Sequence, residues 1–286
     1  MSAFYALKAL GTRARSTAWA MRTKGEPDRS GLRILFYHRI SDDRDELAVS
    51  PRDFRRQMDH LASQSYRVVD VVEAAALLDA GDPPPRTIGL SFDDGYLDVA
   101  EQALPLLAER GFRATVFVAP AVIDGWANFA WYDRQPPLLA WDEIVDLDRE
   151  GTLHFEAHSL THPNLLHLRD EAARKEISGS KAALEARLAR PVLAFSYPSG
   201  LYGLRERGLV AAAGYRVAVS CEPGINSRGT DRLSLRRVQV DRRDGLLDFR
   251  AKLGGGHDTP PPLRSLYRRR RYGDGAGSLR PASSRE

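Results

Sequence analysis

The chain has 286 residues, 43% of them hydrophobic, which is enough for one sizeable core; its single cysteine, Cys221, excludes an internal disulfide framework and a multi-cysteine zinc site. Any metal must then be held by histidine and carboxylate. The net charge of +4 comes largely from arginine near the end, in "LYRRRRYGDGAGSLRPASSRE", and no apolar run approaches the roughly 20 residues of a membrane-crossing helix.

In chain order, "MSAFYALKALGTRARSTAWAMRTKGEPDRSG" resembles a weakly amphipathic helix and a linker, without the uninterrupted apolar stretch of a secretory signal. "LRILFYHRI" is a buried strand ending in the polar turn "SDDRDE". Ser50-Pro51 signals a helix start, with Phe54, Met58 and Leu61 at helical spacing behind it. The alternation then repeats: "RVVDVVEAAALLDAG" is strand into helix, "RTIGLSFDDG" strand, "LDVAEQALPLLAERG" a helix closed by Gly111, and "RATVFVAP" strand. Later come "DEIVDLDREG" as helix, "TLHFEAHS" as strand, "RDEAARKEISGSKAALEARLA" as a long helix, "PVLAFSYPSG" as strand, "LRERGLVAAAG" as helix and "YRVAVSC" as strand.

Such alternation means parallel strands joined by crossover helices, and the uninterrupted run favours an α/β fold that is a (β/α) barrel of about seven strands over an open doubly wound sheet. In either fold, chemistry sits at the C-terminal ends of the strands. Four segments deliver polar groups there: Asp93-Asp94, His38, His158 with His162, and "YPSG" at 197–200. The expected organisation is a helical and linker segment over 1–30, a catalytic domain over 31–255, and a basic tail over 256–286. Solvated disorder is the first reading of that tail, ahead of a nucleic-acid or peripheral membrane contact.

His158 and His162 are four apart, so a helical turn or a tight loop brings both imidazoles to one side. With one carboxylate they form a set that leaves coordination positions open for water and substrate. Two independently satisfied surface histidines are the alternative. Adjacent strand residues face opposite ways, so of Asp93 and Asp94 one can turn to a metal and the other act as a base. The alternative there is a helix cap for "YLDVAEQALPLL". His38, on an apolar strand, reads by itself as a core histidine.

"LSFDDGY", "HSLTHP" and "FSYPSG" resemble, in order, three motifs of the polysaccharide deacetylases, the NodB-homology group of carbohydrate esterase family 4. The resemblance extends from "RILFYHRI" to "LSLRRVQV", and "FYHRI" is similar to an element of the branch acting on poly-N-acetylglucosamine, in which the motif order is permuted. It implies a distorted NodB-type (β/α) barrel and a metal-dependent hydrolase that removes N-acetyl groups from N-acetylhexosamine units of a polysaccharide. Asp93 matches the general base, and Asp94, His158 and His162 match the ligands of a divalent metal, Zn²⁺ first, with Co²⁺ or Ni²⁺ as alternatives. His38 matches the general acid, and the backbone N–H of Ser199 the oxyanion donor. Two departures stand out. Ser199 replaces a tyrosine, and Ser196 stands where the family carries an arginine that orients the base, which leaves open how Asp93 is held.

The implied partner is an N-acetylated polysaccharide or oligosaccharide, with no nucleic acid. Location is cytoplasmic by default, or at a membrane surface through the basic segments. Rival readings are an O-acetyl esterase or small-amide hydrolase on the same site, a glycan-binding barrel without turnover, and a non-haem iron oxygenase, against which the helix–strand alternation argues. The segment "VIDGWANFAWYDRQPPLLAW" carries Trp126, Trp131, Tyr132 and Trp141, either a sugar-stacking surface or a cover for the core. His60, His154 and His167 are read as structural or surface groups, and His257 is given no role.

Overall fold

A computed structural model describes residues 3–24, 31–81 and 83–258. The order of elements is α1 (Ala3–Thr23), β1 (Arg33–Tyr37), β2 (Arg39–Ile40), β3 (Ala48–Val49), α2 (Pro51–Ser63), β4 (Arg67–Val69), α3 (Val71–Ala80), β5 (Thr87–Asp93), α4 (Leu104–Glu109), β6 (Ala114–Val118), α5 (Pro120–Ile123), α6 (Trp141–Glu150), β7 (Leu153–Ala157), α7 (Asp170–Leu188), β8 (Ala194–Ser196), α8 (Leu204–Ala212), β9 (Val217–Val219), β10 (Val238–Gln239) and α9 (Leu246–Leu253). Helix starts follow the sequence signals. Ser50 caps α2 ahead of Pro51 by accepting the Asp53 N–H, and Asp70 caps α3 in the same way through Glu73.

All pairings of the main sheet are parallel, and seven strands run in the order β10-β1-β5-β6-β7-β8-β9. The eighth, β4, pairs with the first half of β5, and β6 pairs with its second half. The sheet curls into an incomplete barrel wrapped by helices, in agreement with the expected (β/α) architecture. Its strands are buried along both faces, as strands between crossover helices must be.

The edges β9 and β10 are joined by a segment absent from the predicted elements. Leu235 bridges Val219 in parallel, and three residues later Val238 pairs with Leu35 of β1. The chain thus steps from one edge of the sheet to the other between 235 and 238, with Arg237 inside the step. Helix α9, also not predicted, follows and packs against α1. Trp19 of α1 is buried and donates through Nε1 to Gly254 O, while the Ser16 hydroxyl lies 3.0 Å from His257 Nε2. A Cβ at Gly254 would stand 2.2 Å from the Trp19 ring, so this contact requires glycine. Three residues of the expected tail, Gly256 to Asp258, are therefore bonded to the barrel, and Asp258 pairs with Arg33. The arginine-rich stretch beyond Asp258 lies outside the described residues.

Candidate active site

The site lies where β5 and β7 end. Asp93 is the last residue of β5, and Asp94 already has left the strand, with φ 77°. Strand alternation, which would send the two carboxylates to opposite faces, is broken by that left-handed residue. Both side chains face one cavity of about 490 Å³. Gly95 follows with φ 74°, packed so closely that a Cβ would meet Val118 Cγ1 at 2.7 Å. The helix-cap alternative does not hold. Asp98 flanks the helical turn instead, and its carboxylate accepts the Ile40 N–H and the Arg39 guanidinium.

His158 follows β7 directly, and its Nδ1 lies 2.8 Å from the Ser196 carbonyl. A carbonyl only accepts, so Nδ1 carries the hydrogen and Nε2 presents its lone pair to the cavity. The 158–162 segment is a tight loop, with Ser159 and His162 both at positive φ, rather than a helical turn. It is tied by the Ser159 hydroxyl, which accepts the His162 N–H, and by Glu176 of α7, which accepts the N–H groups of Leu160 and Thr161 and the Thr161 hydroxyl. The two imidazoles end 4.6 Å apart, centroid to centroid.

Ligand atoms of Asp94, His158 and His162 lie within 4.8 Å of one another. Asp94 Oδ1 is 3.7 Å from His158 Nε2 and 3.8 Å from His162 Nε2. It is buried and has no hydrogen-bond partner among the described residues. Burial, then the charge of Asp93, pushes the Asp94 carboxyl well above its ordinary range. Burial pushes both imidazoles down, and the charge of Asp93 acts in the opposite direction on each of them. Two neutral imidazoles and an orphaned buried carboxylate oxygen fit a divalent cation, which would remove the cost of burying Asp94.

Asp93 is held differently. Burial raises its pKa, but Arg237 first, together with His158 and His38, more than offsets this and brings it to about 2. Arg237 Nη1 and Nη2 each donate to one Asp93 oxygen at 2.7 Å, a bidentate pair. The same guanidinium donates to Ser91 Oγ, Ser196 Oγ and Ser220 O, and lies 4.3 Å from the centre of the Phe36 ring. This answers the departure at 196. The arginine comes from the 235–238 step instead, and Ser196 accepts a hydrogen bond from it. Sequence reasoning missed Arg237, although "LRRVQV" places an arginine immediately before alternating residues that enter the barrel.

His38 follows β1 and lines the same cavity. Burial lowers its pKa to about 4; the charge of Asp93 opposes this, while Arg237 and His158 reinforce it. Its Nδ1 is buried without a hydrogen-bond partner among the described residues. Ser199 also lines the cavity, in a tight turn at φ 56° where Gly200 N bonds back to Tyr197 O. All six residues expected at the site thus border one cavity. Of the aromatic segment, Trp131 and Tyr132 border it, with Trp131 stacked on Phe129 at 4.8 Å and 5.0 Å from His162. Trp126 is exposed elsewhere, and Trp141 bonds Asp124. His60 lies against Phe249, His154 near Asp70, and His167 beside Asn164; none of them borders the cavity.

A family model described as polysaccharide deacetylase matches residues 80–218. The chain is 28% identical over 210 residues to YxkH of Bacillus subtilis (strain 168), whose name places it among polysaccharide deacetylases; the match covers 73% of this chain and 71% of that protein. It is 22% identical over 197 residues to the poly-beta-1,6-N-acetyl-D-glucosamine N-deacetylase of Staphylococcus aureus (strain MRSA252), covering 66% of each. Among solved structures, IcaB from Ammonifex degensii superposes with a TM-score of 0.68 at 24% identity, over 80% of this chain and 98% of that one. At that identity the likeness shows the fold.

Proposed function

We propose that the chain is a polysaccharide deacetylase, a reading supported by the family-model match over residues 80–218 and by the 28% identity to the Bacillus subtilis relative, and that it is a metal-dependent hydrolase removing N-acetyl groups from N-acetylhexosamine units of a polysaccharide. One observation carries the reading: a buried Asp94/His158/His162 triad lies beside a second carboxylate, Asp93, fixed by a bidentate arginine at the same cavity. Asp94, His158 and His162 would hold the cation, Zn²⁺ being the first choice for two imidazoles and a carboxylate. When bound, it supplies Lewis acidity toward the acetamide carbonyl and toward water.

The protein's own groups do the rest. Asp93 accepts the proton of the attacking water. A carboxylate with so low a pKa is a weak base, so it serves only a water made more acidic than bulk water. The Ser199 N–H donates to the oxygen that becomes negative, a contribution of about 3 kcal/mol. A serine side chain in place of tyrosine leaves that backbone donor in place. His38 delivers a proton to the departing amine. Burial and Arg237 keep it neutral at rest, so the proton it delivers is the one Asp93 has taken from the water, passed on to His38 as negative charge builds on the substrate beside it. The poly-N-acetylglucosamine branch is the nearest substrate class, supported by His38 in "FYHRI" and by the Staphylococcus aureus relative.

Acetate release from N-acetylglucosamine oligomers, with Zn²⁺ or Co²⁺ added to apoprotein, tests the reading. Activity is expected with cation and is abolished by chelator. Asp93→Asn should retain the cation and lose turnover by about 100- to 10,000-fold, and His38→Ala likewise. Acetate from O-acetylated sugars alone would replace the amide reading by an ester one, and none from either would leave a glycan-binding barrel.

A further inference from the structure

Asp94 has two carboxylate oxygens, and they have different surroundings. Oδ1 faces His158 and His162 and has no hydrogen-bond partner among the described residues. Oδ2 accepts the hydroxyl of Tyr96 at 3.2 Å. A phenol has one hydrogen to give, and of the two acceptors within its reach, Asp94 Oδ2 and the Tyr132 hydroxyl oxygen, the carboxylate is the stronger and takes it. Tyr96 itself is fully buried and is held from three sides. The Arg39 guanidinium lies 5.6 Å from its ring centre, the Phe129 ring 6.0 Å and the Tyr132 ring, edge-on, 6.3 Å.

The groups around Tyr96 are in turn tied down. Arg39 is buried and donates to Asp43, Asp45 and Asp98 at 2.6, 3.2 and 2.9 Å. The Tyr132 hydroxyl donates to Asp45 and so joins the 124–140 segment to the 41–47 loop across the cavity wall. Tyr132 thus spends its hydrogen on the wall, whereas Tyr96 spends its own on Asp94.

We infer that Tyr96 is a positioning residue for the cation: its hydroxyl pins Asp94 Oδ2 and thereby commits Oδ1, as a single oxygen, to the two imidazoles. Without that hydrogen bond the carboxylate is free to rotate and to offer either oxygen, and its buried Oδ2 loses its partner. Hydrogen-bond partners behind metal ligands commonly set affinity within a 10- to 100-fold range. The inference rests on the triad being a cation site.

Zn²⁺ and Co²⁺ binding to apoprotein, measured by calorimetry on wild type, Asp94→Asn, Tyr96→Phe and Tyr132→Phe, tests it without recourse to activity. Phenylalanine keeps the ring packing, and equal melting temperatures of the apoproteins check that the fold is kept. Tyr96→Phe is expected to weaken binding about 10- to 100-fold. Tyr132→Phe, which removes the other acceptor within reach of the Tyr96 hydroxyl and so keeps the Tyr96–Asp94 bond, is expected to change it less than about three-fold. Wild-type affinity in Tyr96→Phe overturns the inference while leaving the cation site standing. Equal weakening in both phenylalanine variants also overturns it, since closure of the wall would then set affinity. No binding by wild type, or undiminished binding by Asp94→Asn, overturns the site itself.

Discussion

Arg237 combines two functions in one side chain. It is wholly buried, satisfies both oxygens of Asp93, and lies between Phe36 and Phe117. Removing one partner of a buried pair leaves the other as an uncompensated charge, which costs roughly 3–5 kcal/mol. Arg237→Met is therefore expected to lower the unfolding free energy by that amount, and turnover by about 10- to 100-fold, with cation content unchanged. Arg237→Lys should recover little, because an ammonium cannot engage both oxygens in one plane. Unfolding curves and metal analysis of the two variants check this. The six candidate site residues themselves were legible from their motifs, because the proposed chemistry requires those residue types. Arg237 was not, because an arginine among many carries no mark of the carboxylate it will meet 144 positions away.

The elements show a second pattern. Asp94, Ser159, His162 and Ser199 all have left-handed backbones, at φ 77°, 60°, 59° and 56°. Such conformations cost of order 1–3 kcal/mol each and persist only where surrounding bonds enforce them. Glu176 provides that enforcement for the histidine loop. Strand and helix periodicities were legible because they follow burial, whereas these turns use Asp, Ser and His in place of the glycine that would have marked them. The short step at 235–239 and α9 escaped for a similar reason, being too brief or too polar to show a period.

Glu156 is another element-scale device. Strands β7 and β8 share only the Ala157–Phe195 register pair, and the Glu156 carboxylate accepts the N–H groups of Leu193 and Ala194 in place of a longer ladder. Burial raises its pKa to about 7, although those N–H groups and Arg190 pull the other way. The folded state therefore binds this proton more tightly than the unfolded one. Stability from this group is full below pH 4.5, declines as pH rises from there, and is lost above about 7, a change of about 3 kcal/mol. Glu156→Gln should flatten the pH dependence of the unfolding free energy across that window, as measured by urea titrations at several pH values. An unchanged slope would assign the dependence to other groups.

For the whole molecule, the first helix is part of the fold. Trp19 is 3% exposed and sits against the glycines that follow α9. Trp19→Ala should destabilise by about 3–5 kcal/mol, while acetate release well below the melting temperature stays near wild type. A calorimetric scan together with one assay temperature checks both. Among the described residues no helix is long and apolar enough to cross a membrane.

The ion pair of Arg33 with Asp258, at 2.7 Å, brings the start of β1 against the last residue of the described fold. Strands β1 and β10 are also neighbours in the sheet, so the first and last strands of the described residues lie side by side. His38, which follows β1, therefore enters the cavity from a strand flanked by β10 and β5. The matched stretch 80–218 contains the cation triad, Asp93 and Ser199, and contains neither His38 nor Arg237. The cavity is thus assembled from a contiguous stretch with the candidate cation triad and Asp93, and from flanks that bring His38 and the guanidinium that clamps Asp93.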